Sequence, residues 1–333
     1  MLRTTLVLAL VCAASTAQAT ESHQRRIATL APEGSLWMKM MQSGAAQIEK
    51  ATEGRVKTKY YGGGSQGDEK DVIRKVRLKQ LDGAALTSVG LAIIYPGIRV
   101  LQLPHFYASV EELDYIREKT WPYFQEKFRA EGFELSAPGD VGWIHLFSTK
   151  PIKTREDLKK AKIWVWQGDP LAKRLMKEQG FNGVPLGVPE VLAALQTGRI
   201  DACFGSPLAA VALQWHTTVK YMTSMAIAYG IGGMVMRTDV WDRSSEADKA
   251  VQMKIGKKMS KKTILRVRKD NDRALKAMLK EGMQVIETPA AMVAEFEKEA
   301  EASWARGVGE VYTQEELDMA VKYRAEYRKA HAD

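Results

Sequence analysis

The chain is poor in cysteine and has no long apolar run beyond its first residues. It contains 2 cysteines in 333 residues, Cys12 and Cys203. Cys12 lies in an N-terminal stretch that we expect to be removed, so the mature chain cannot form an internal disulfide. No later apolar run approaches about 18 residues, which excludes a membrane-spanning helix in that part of the sequence. The 5 histidines are scattered without zinc-ligand spacing, so we expect no metal and no other cofactor.

Neither sign of charge dominates the composition. There are 49 lysines and arginines against 40 aspartates and glutamates, a net charge of +9. This excess is compatible with the steering of anions, but it is not the concentrated basic patch of a nucleic-acid-binding protein, and we expect no nucleic-acid partner. A chain that is 45% hydrophobic and 27% charged is globular. Its length predicts about two domains.

The first 19 residues have the order of a secretory signal peptide. Arg3 precedes an apolar run at 6–14, and the small-residue triplet AQA at 17–19 is typical of a cleavage site. We expect cleavage before Thr20 and release of the mature chain into the periplasm.

Strand and helix patterns alternate along the mature chain. Strands are predicted at 26–30, 56–60, 83–87, 143–148, 163–166, 202–204 and 230–237, and helices at 36–52, 69–79, 170–180, 189–198 and 244–280. The strand at 230–237 is expected to cross between domains. The pattern predicts an α/β fold of two lobes, with mixed sheets flanked by helices, a cleft between the lobes and a long helix that bridges them.

Two catalytic motifs overlap in the glycine cluster at 62–67. GGGSQG fits the dinucleotide fingerprint G-x-G-x-x-G and also the nucleophile elbow G-x-S-x-G. Both motifs need a buried, apolar preceding strand, whereas 56–60 alternates with lysines. We therefore favour a turn near the cleft. A Cys203 nucleophile paired with His145 or His216 stays open, but a small buried strand residue is the favoured interpretation.

Trp164 and Trp166 lie two residues apart in a predicted strand. A period of two places both indoles on one face. Each indole N–H needs a partner if the pair is simple core, and ligands of open α/β sheets bind at the carboxyl ends of strands. The pair is therefore a candidate wall of a ligand site.

The chain resembles the periplasmic solute receptors of tripartite ATP-independent periplasmic (TRAP) transporters, of the DctP type. The resemblance is carried by IATLAPEGS at 27–35, TEGRVK at 52–57, the glycine turn ending at Gly67, LPHF at 103–106, KPIKTREDLKKAKI at 150–163, VPL at 184–186, PEV at 189–191 and ALQTGRID at 194–201. It implies a non-enzymatic, two-lobed receptor that closes on its ligand. We expect lobe I at 20–143 and about 233–265, lobe II at 144–232 and about 266–310, and a C-terminal helix at 311–333 that packs back on lobe I.

Three polar positions of the family are replaced. Relatives place a carboxylate-binding arginine where this chain has Trp164 and often a second one near Trp143 and His145. The usual Asn-Pro is Ser206-Pro207, preceded by Phe204. A buried carboxylate without a cation is costly, so the pocket is predicted to favour an apolar or aromatic ligand, with a monocarboxylate left open. The predicted ligand-binding residues are Trp37, Trp143, Ile144, Trp164, Trp166, Phe204, Ser206 and Tyr229.

The resemblance implies delivery of the ligand to a TRAP permease by a monomeric receptor. The resemblance extends to a subgroup with apolar pockets that works with a tetratricopeptide-repeat protein, and whether this chain has that partner stays open. The alternative function is a periplasmic ligand-sensing module without a transport role. An enzyme is the third interpretation, and it lacks a constellation of catalytic residues.

Overall fold

The computed structural model describes residues 23–332. The predicted signal peptide lies outside these residues. The strands are β1 His23–Thr29, β2 Val56–Tyr61, β3 Gly83–Thr87, β4 Phe133–Ser148, β5 Lys162–Trp166, β6 Asn182–Leu186, β7 Ala202–Gly205, β8 Tyr221–Thr223, β9 Ala228–Arg237 and β10 Gln284–Ile286. The helices are α1 Leu36–Ala51, α2 Glu69–Arg77, α3 Ser88–Ile94, α4 Val110–Ala130, α5 Arg155–Lys160, α6 Pro170–Gln179, α7 Val191–Gln196, α8 Pro207–Ala212, α9 Thr238–Trp241, α10 Glu246–Lys280, α11 Ala290–Arg306 and α12 Gln314–Ala330.

The strands form a mixed sheet in the order β2-β1-β3-β9-β4-β7-β5-β6. β1 runs parallel to β2 and β3, and β5 runs parallel to β6 and β7, whereas β9 is antiparallel to β3 and β4. The half with β1, β2, β3 and β9 is lobe I, and the half with β5, β6 and β7 is lobe II. The fold is the predicted two-lobed α/β arrangement with a mixed sheet and flanking helices.

β4 is the strand that pairs in both lobes. Its residues from Phe133 to Ile144 pair with β9, and those from His145 to Ser148 pair with β7. The register with β9 shifts between Leu135 and Pro138 and again between Asp140 and Gly142, shortly before the partner strand changes from β9 to β7 after Ile144. The sequence predicts that 230–237 crosses between domains, and that stays a prediction: β9 pairs with β3 and with β4 as far as Ile144.

A buried ion network ties the passage between the lobes to three helices. The side chain of Asp140 is fully buried and accepts hydrogen bonds from Arg117 of α4, from Arg268 Nε of α10 at 2.8 Å and from the Tyr229 hydroxyl at 2.7 Å. Its backbone oxygen accepts the indole N–H of Trp37 of α1 at 3.0 Å. A buried carboxylate needs such partners, and these hold α1, α4, β4, β9 and α10 together.

The long helix α10 bridges the lobes. It packs on α1 and on β4, and farther along on α8. Asn271 donates to the backbone oxygen of Val141 at 3.0 Å and accepts from the backbone N–H of Leu208 at 2.9 Å, so one side chain joins β4 to α8. Within the described residues, no helix is long and apolar enough to cross a membrane.

The C-terminal segment packs on lobe I. Trp304 at the end of α11 and Leu317 of α12 belong to the same apolar cluster as Phe124 of α4. Arg328 of α12 donates to the buried carboxylate of Glu112 at 2.6 Å. The exact lobe bounds that the sequence predicts stay a prediction.

Candidate functional site

A cavity of 1210 Å³ lies between the lobes and extends into lobe I. Its lobe I wall includes the segments that follow β1 and β3 and the 3₁₀ segment Pro96–Gln102, and its lobe II wall includes β5, β7 and α6. The residues at the cleft include Leu30, Trp37, Thr87, Ser88, Arg99 and Gln102 of lobe I and Ile144, Trp164, Trp166, Asp169, Val188 and Phe204 on the lobe II side. The carboxyl ends of parallel strands meet here, as they do in ligand sites of open α/β sheets.

The two predicted tryptophans form one aromatic surface. The rings of Trp164 and Trp166 lie 5.6 Å apart with 36° between their planes, and Trp215 contacts Trp164 edge-on at 5.6 Å. Trp164 donates its N–H to the backbone oxygen of Leu186 at 2.9 Å. Only 4% of Trp164 is exposed, and it belongs to the lobe II core. Trp164 therefore serves both as core and as cavity wall.

Three further predicted residues line the cavity: Trp37, Ile144 and Phe204. Ser35 accepts from the backbone N–H of Met38, so α1 begins at Leu36 and places Trp37 in its first turn. Together with the tryptophans of β5, these side chains make the cleft largely apolar.

The other three predicted residues do not line the cavity. Trp143 packs edge-on against Tyr229, with ring centroids 5.0 Å apart, and the Tyr229 hydroxyl is bonded to Asp140. Ser206 is fully buried, and its hydroxyl accepts from the backbone N–H of Ala209 at the start of α8. Trp143 and Ile144 are neighbours on β4, so their side chains point to opposite faces and cannot both face the cavity.

Polar groups on the lobe I side were missed by the sequence prediction. Arg99 is 8% exposed and lines the cavity beside Gln102. The sequence did contain a sign of this residue's role: Arg99 is a single cation inside the apolar stretch from Ile98 to Leu101. A charge in a buried stretch needs a specific partner. Glu69, at the start of α2, accepts from the Thr87 N–H at 2.7 Å, and burial raises the pKa of its carboxyl to about 8.

Polar side chains join the two lobes across the cleft. Trp166 of lobe II donates its indole N–H to Asp68 Oδ2 at 2.7 Å. Arg99 of lobe I donates from Nη2 to Asp169 Oδ2 at 2.9 Å. Burial raises the pKa of Asp68, and the bond from Trp166 opposes that shift. The two contacts hold the lobes against each other around the cavity.

The glycine turn takes part in this lobe contact. Gly63, Gly64 and Gly67 have φ angles of 62°, 71° and 94°, which favour glycine. A Cβ on Gly64 would lie 2.8 Å from the Pro189 ring of lobe II. β2, which precedes the turn, is at the edge of the sheet, unlike the central strand that a dinucleotide fingerprint or a nucleophile elbow requires.

The lobe I end of the cavity runs behind β1 toward α1 and α10. Arg25 lines this end and is 6% exposed. Burial lowers the pKa of its guanidinium to about 10. The guanidinium donates to Ser244 Oγ at 2.6 Å and to the Gln252 side chain, so it joins β1 to the start of α10.

The open nucleophile hypothesis finds no support at Cys203. The thiol is fully buried in the lobe II core, and burial raises its pKa, which opposes thiolate formation. His145 contacts the Thr223 backbone oxygen, and His216 contacts that of Ala210. No group of three or more metal-ligating side chains is arranged to hold an ion within residues 23–332.

The chain matches one family model over most of its length. Residues 27–310 match the DctP family, described as bacterial extracellular solute-binding protein, family 7. A solute-binding protein of Chromohalobacter salexigens is 29% identical over 165 residues, 49% of this chain and of the relative. One of Verminephrobacter eiseniae is 23% identical over 247 residues, 73% of each chain. The match to the first of these spans about half the length of the relative.

Solved structures of TRAP periplasmic solute-binding proteins share the fold. One from Chromohalobacter salexigens with bound D-glucuronate has a TM-score of 0.83 at 20% identity, covering 91% of this chain and 99% of its own. One from Desulfovibrio salexigens with bound orotic acid has a TM-score of 0.83 at 18% identity, and it also covers 91% of this chain and 99% of its own. One from Xanthobacter autotrophicus with β-D-galacturonate has 0.81 at 23%, again with 91% and 99% covered. The chain therefore belongs to the DctP family of bacterial extracellular solute-binding proteins and has the two-lobed fold of the TRAP solute receptors.

Proposed function

We propose that this protein is a periplasmic receptor that captures a small organic acid between its lobes and delivers it to a TRAP-type permease. The observation that carries the proposal is the cavity between the lobes, beside which polar side chains join one lobe to the other. Closure around a small ligand excludes water and strengthens the polar contacts inside. The family is one of solute-binding proteins, and among residues 23–332 no catalytic set of acid, base and nucleophile was identified at the cavity, so we propose a binding role without catalysis.

The ligands of related structures and the wall of the cavity both bear on the ligand class. Related structures hold D-glucuronate, orotic acid and β-D-galacturonate, all of which are acids. The sequence predicted an apolar or aromatic ligand and left a monocarboxylate open, and the relatives favour the acid. The indoles of Trp164 and Trp166 suit a ring or another apolar body. We propose an acid whose apolar part packs on these indoles.

Native mass spectrometry of protein purified from the periplasm without refolding tests the ligand class. A closed receptor retains its ligand, so we expect a bound mass that denaturation releases. The released molecule should gain the mass of one CH2 unit on methyl esterification, because the methyl group replaces the acid hydrogen of a carboxylic acid. A released molecule without a carboxyl group would contradict the acid proposal.

Transport and location need separate measurements. Deletion of the gene should abolish uptake of the labelled acid, whereas a ligand-sensing module would leave uptake unchanged. N-terminal sequencing of periplasmic protein should begin at Thr20. The monomeric state and the tetratricopeptide-repeat partner stay predictions, which sizing and co-purification from the periplasm test.

A further inference from the structure

Arg99 is a buried cation whose hydrogen-bonding capacity is only partly used. It lies in the 3₁₀ segment Pro96–Gln102, and its neighbours Ile98 and Val100 are fully buried. Nη2 donates to Asp169 and Nη1 donates to Gln102 Oε1 at 3.1 Å. Nε is buried and has no hydrogen-bond partner among the described residues. The two protein partners therefore leave part of the donor capacity of the guanidinium unused, and an unsatisfied buried donor is costly.

The partner of Arg99 belongs to the other lobe. Asp169 Oδ1 accepts from the backbone N–H groups of Leu171 and Ala172, both at 3.1 Å, and so caps α6. Its other oxygen, Oδ2, holds Arg99 across the cleft. Separation of the lobes would remove Asp169 from Arg99 and leave the guanidinium facing the open cleft. The same side chain is thus placed to meet a ligand before closure and to hold lobe II after it.

We propose that Arg99 is the anion-binding residue of this receptor, with its guanidinium donating to the ligand carboxylate at the cleft. This inference rests on the proposed function, because it requires an acidic ligand. Trp164 stands where the resemblance places a carboxylate-binding arginine, and Arg99 supplies a guanidinium from the opposite lobe. An acid then spans the cavity, with its carboxylate at the 3₁₀ segment and its apolar body on the indoles. A charge-assisted bond of this kind gives both affinity and orientation.

The test compares benzoate with benzamide, which have the same ring and differ in charge. Binding is measured by calorimetric titration of the ligand-free wild type, Arg99→Gln, Arg99→Lys and Asp169→Asn. We expect the wild type to prefer benzoate and Arg99→Gln to lose roughly 10- to 100-fold in benzoate affinity with little change for benzamide. Arg99→Lys keeps the charge but lacks the planar guanidinium, and it should lose much of the preference.

The variant Asp169→Asn distinguishes a role of Arg99 in anion binding from a role only in the contact between the lobes. It removes the ion pair while Arg99 stays, so affinity for both compounds should fall and the preference for benzoate should remain. Circular dichroism and thermal unfolding confirm that each variant is folded.

Equal benzoate preference in Arg99→Gln and in the wild type would overturn the anion-site assignment and leave the proposed receptor function intact. Loss of the preference in Asp169→Asn as well as in Arg99→Gln would also overturn it, because the ion pair alone would then explain the effect. If benzoate, D-glucuronate and orotate all failed to bind the wild type while neutral compounds bound, both this assignment and the acid-ligand proposal would fail.

Discussion

The indole N–H of Trp166 reaches from lobe II to Oδ2 of Asp68 in lobe I, at a distance of 2.7 Å. Asp68 occupies the N-cap position of α2 but makes no side-chain hydrogen bond to that helix. Its carboxylate is turned instead toward the other lobe. The contact therefore joins the two lobes.

Replacement of Trp166 by phenylalanine should weaken ligand binding with little loss of stability. The variant keeps an aromatic ring at the wall and removes the donor to Asp68. One hydrogen bond to a charged acceptor corresponds to a roughly 5- to 10-fold change in affinity once screening is allowed for. Calorimetric titration with the co-purified acid, removed beforehand by dialysis, measures this change. Asp68→Asn keeps an acceptor oxygen and serves as the control. Unchanged affinity in Trp166→Phe would show that the contact does not support closure.

Substitution of Gly64 by alanine should move the two lobes of the ligand-free protein apart. The new methyl group would meet the Pro189 ring of lobe II. Gly63→Ala is the matched control, because Gly63 has a similar φ of 62° but its nearest neighbour, Pro32, lies 4.0 Å away. Both variants should lose about 1 kcal/mol of folding stability from backbone strain. Small-angle scattering should give a larger radius of gyration for Gly64→Ala alone, and equal radii would refute a role in lobe contact.

Trp164→Ala should destabilise the fold as well as weaken binding. Trp164 is 4% exposed and contacts Trp166 and Trp215, so its truncation leaves a cavity in the core. We expect a loss of about 3–5 kcal/mol in urea unfolding. Trp164→Arg should lose still more folding stability, because it places a charge in a dry core. Trp166→Ala, at a half-buried position, should cost less stability. A Trp164→Ala variant of normal stability and lost affinity would show that Trp164 is a ligand wall only.

Glu69 should make stability fall as the pH rises. Burial raises the pKa of its carboxyl from 4.5 to about 8, so the folded protein keeps a proton that the unfolded chain has released. The stabilisation is complete below about pH 4.5 and is lost as the pH rises through about 8, with a slope of at most about 1.4 kcal/mol per pH unit. Urea unfolding from about pH 5 to about pH 8 should give a smaller decline for Glu69→Gln than for the wild type.

The difference between wild type and Glu69→Gln is the quantity to measure. Burial also lowers the pKa values of His105 and His145, which titrate in part of the same range. Their contribution is common to both proteins and cancels in the difference. Parallel stability curves would contradict the assignment of the slope to Glu69.

The local alternation of side chains in the sequence predicted the aromatic surface of Trp164 and Trp166. It could not predict the contacts between the lobes. The period of two in β5 placed Trp164 and Trp166 on one face, since side chains alternate along any strand. The same rule should have excluded Trp143 once Ile144 was placed in the cavity. The pair Arg99 and Asp169 is 70 residues apart in sequence. Their meeting depends on how the lobes dock, which no local periodicity encodes.

The most direct test of the account is small-angle scattering of the ligand-free protein and of the same protein saturated with its co-purified acid. Closure of two lobes around a ligand moves their centres of mass together. The account predicts a smaller radius of gyration in the saturated sample and a rise in melting temperature that depends on ligand concentration. An unchanged radius of gyration at saturation would contradict capture by lobe closure.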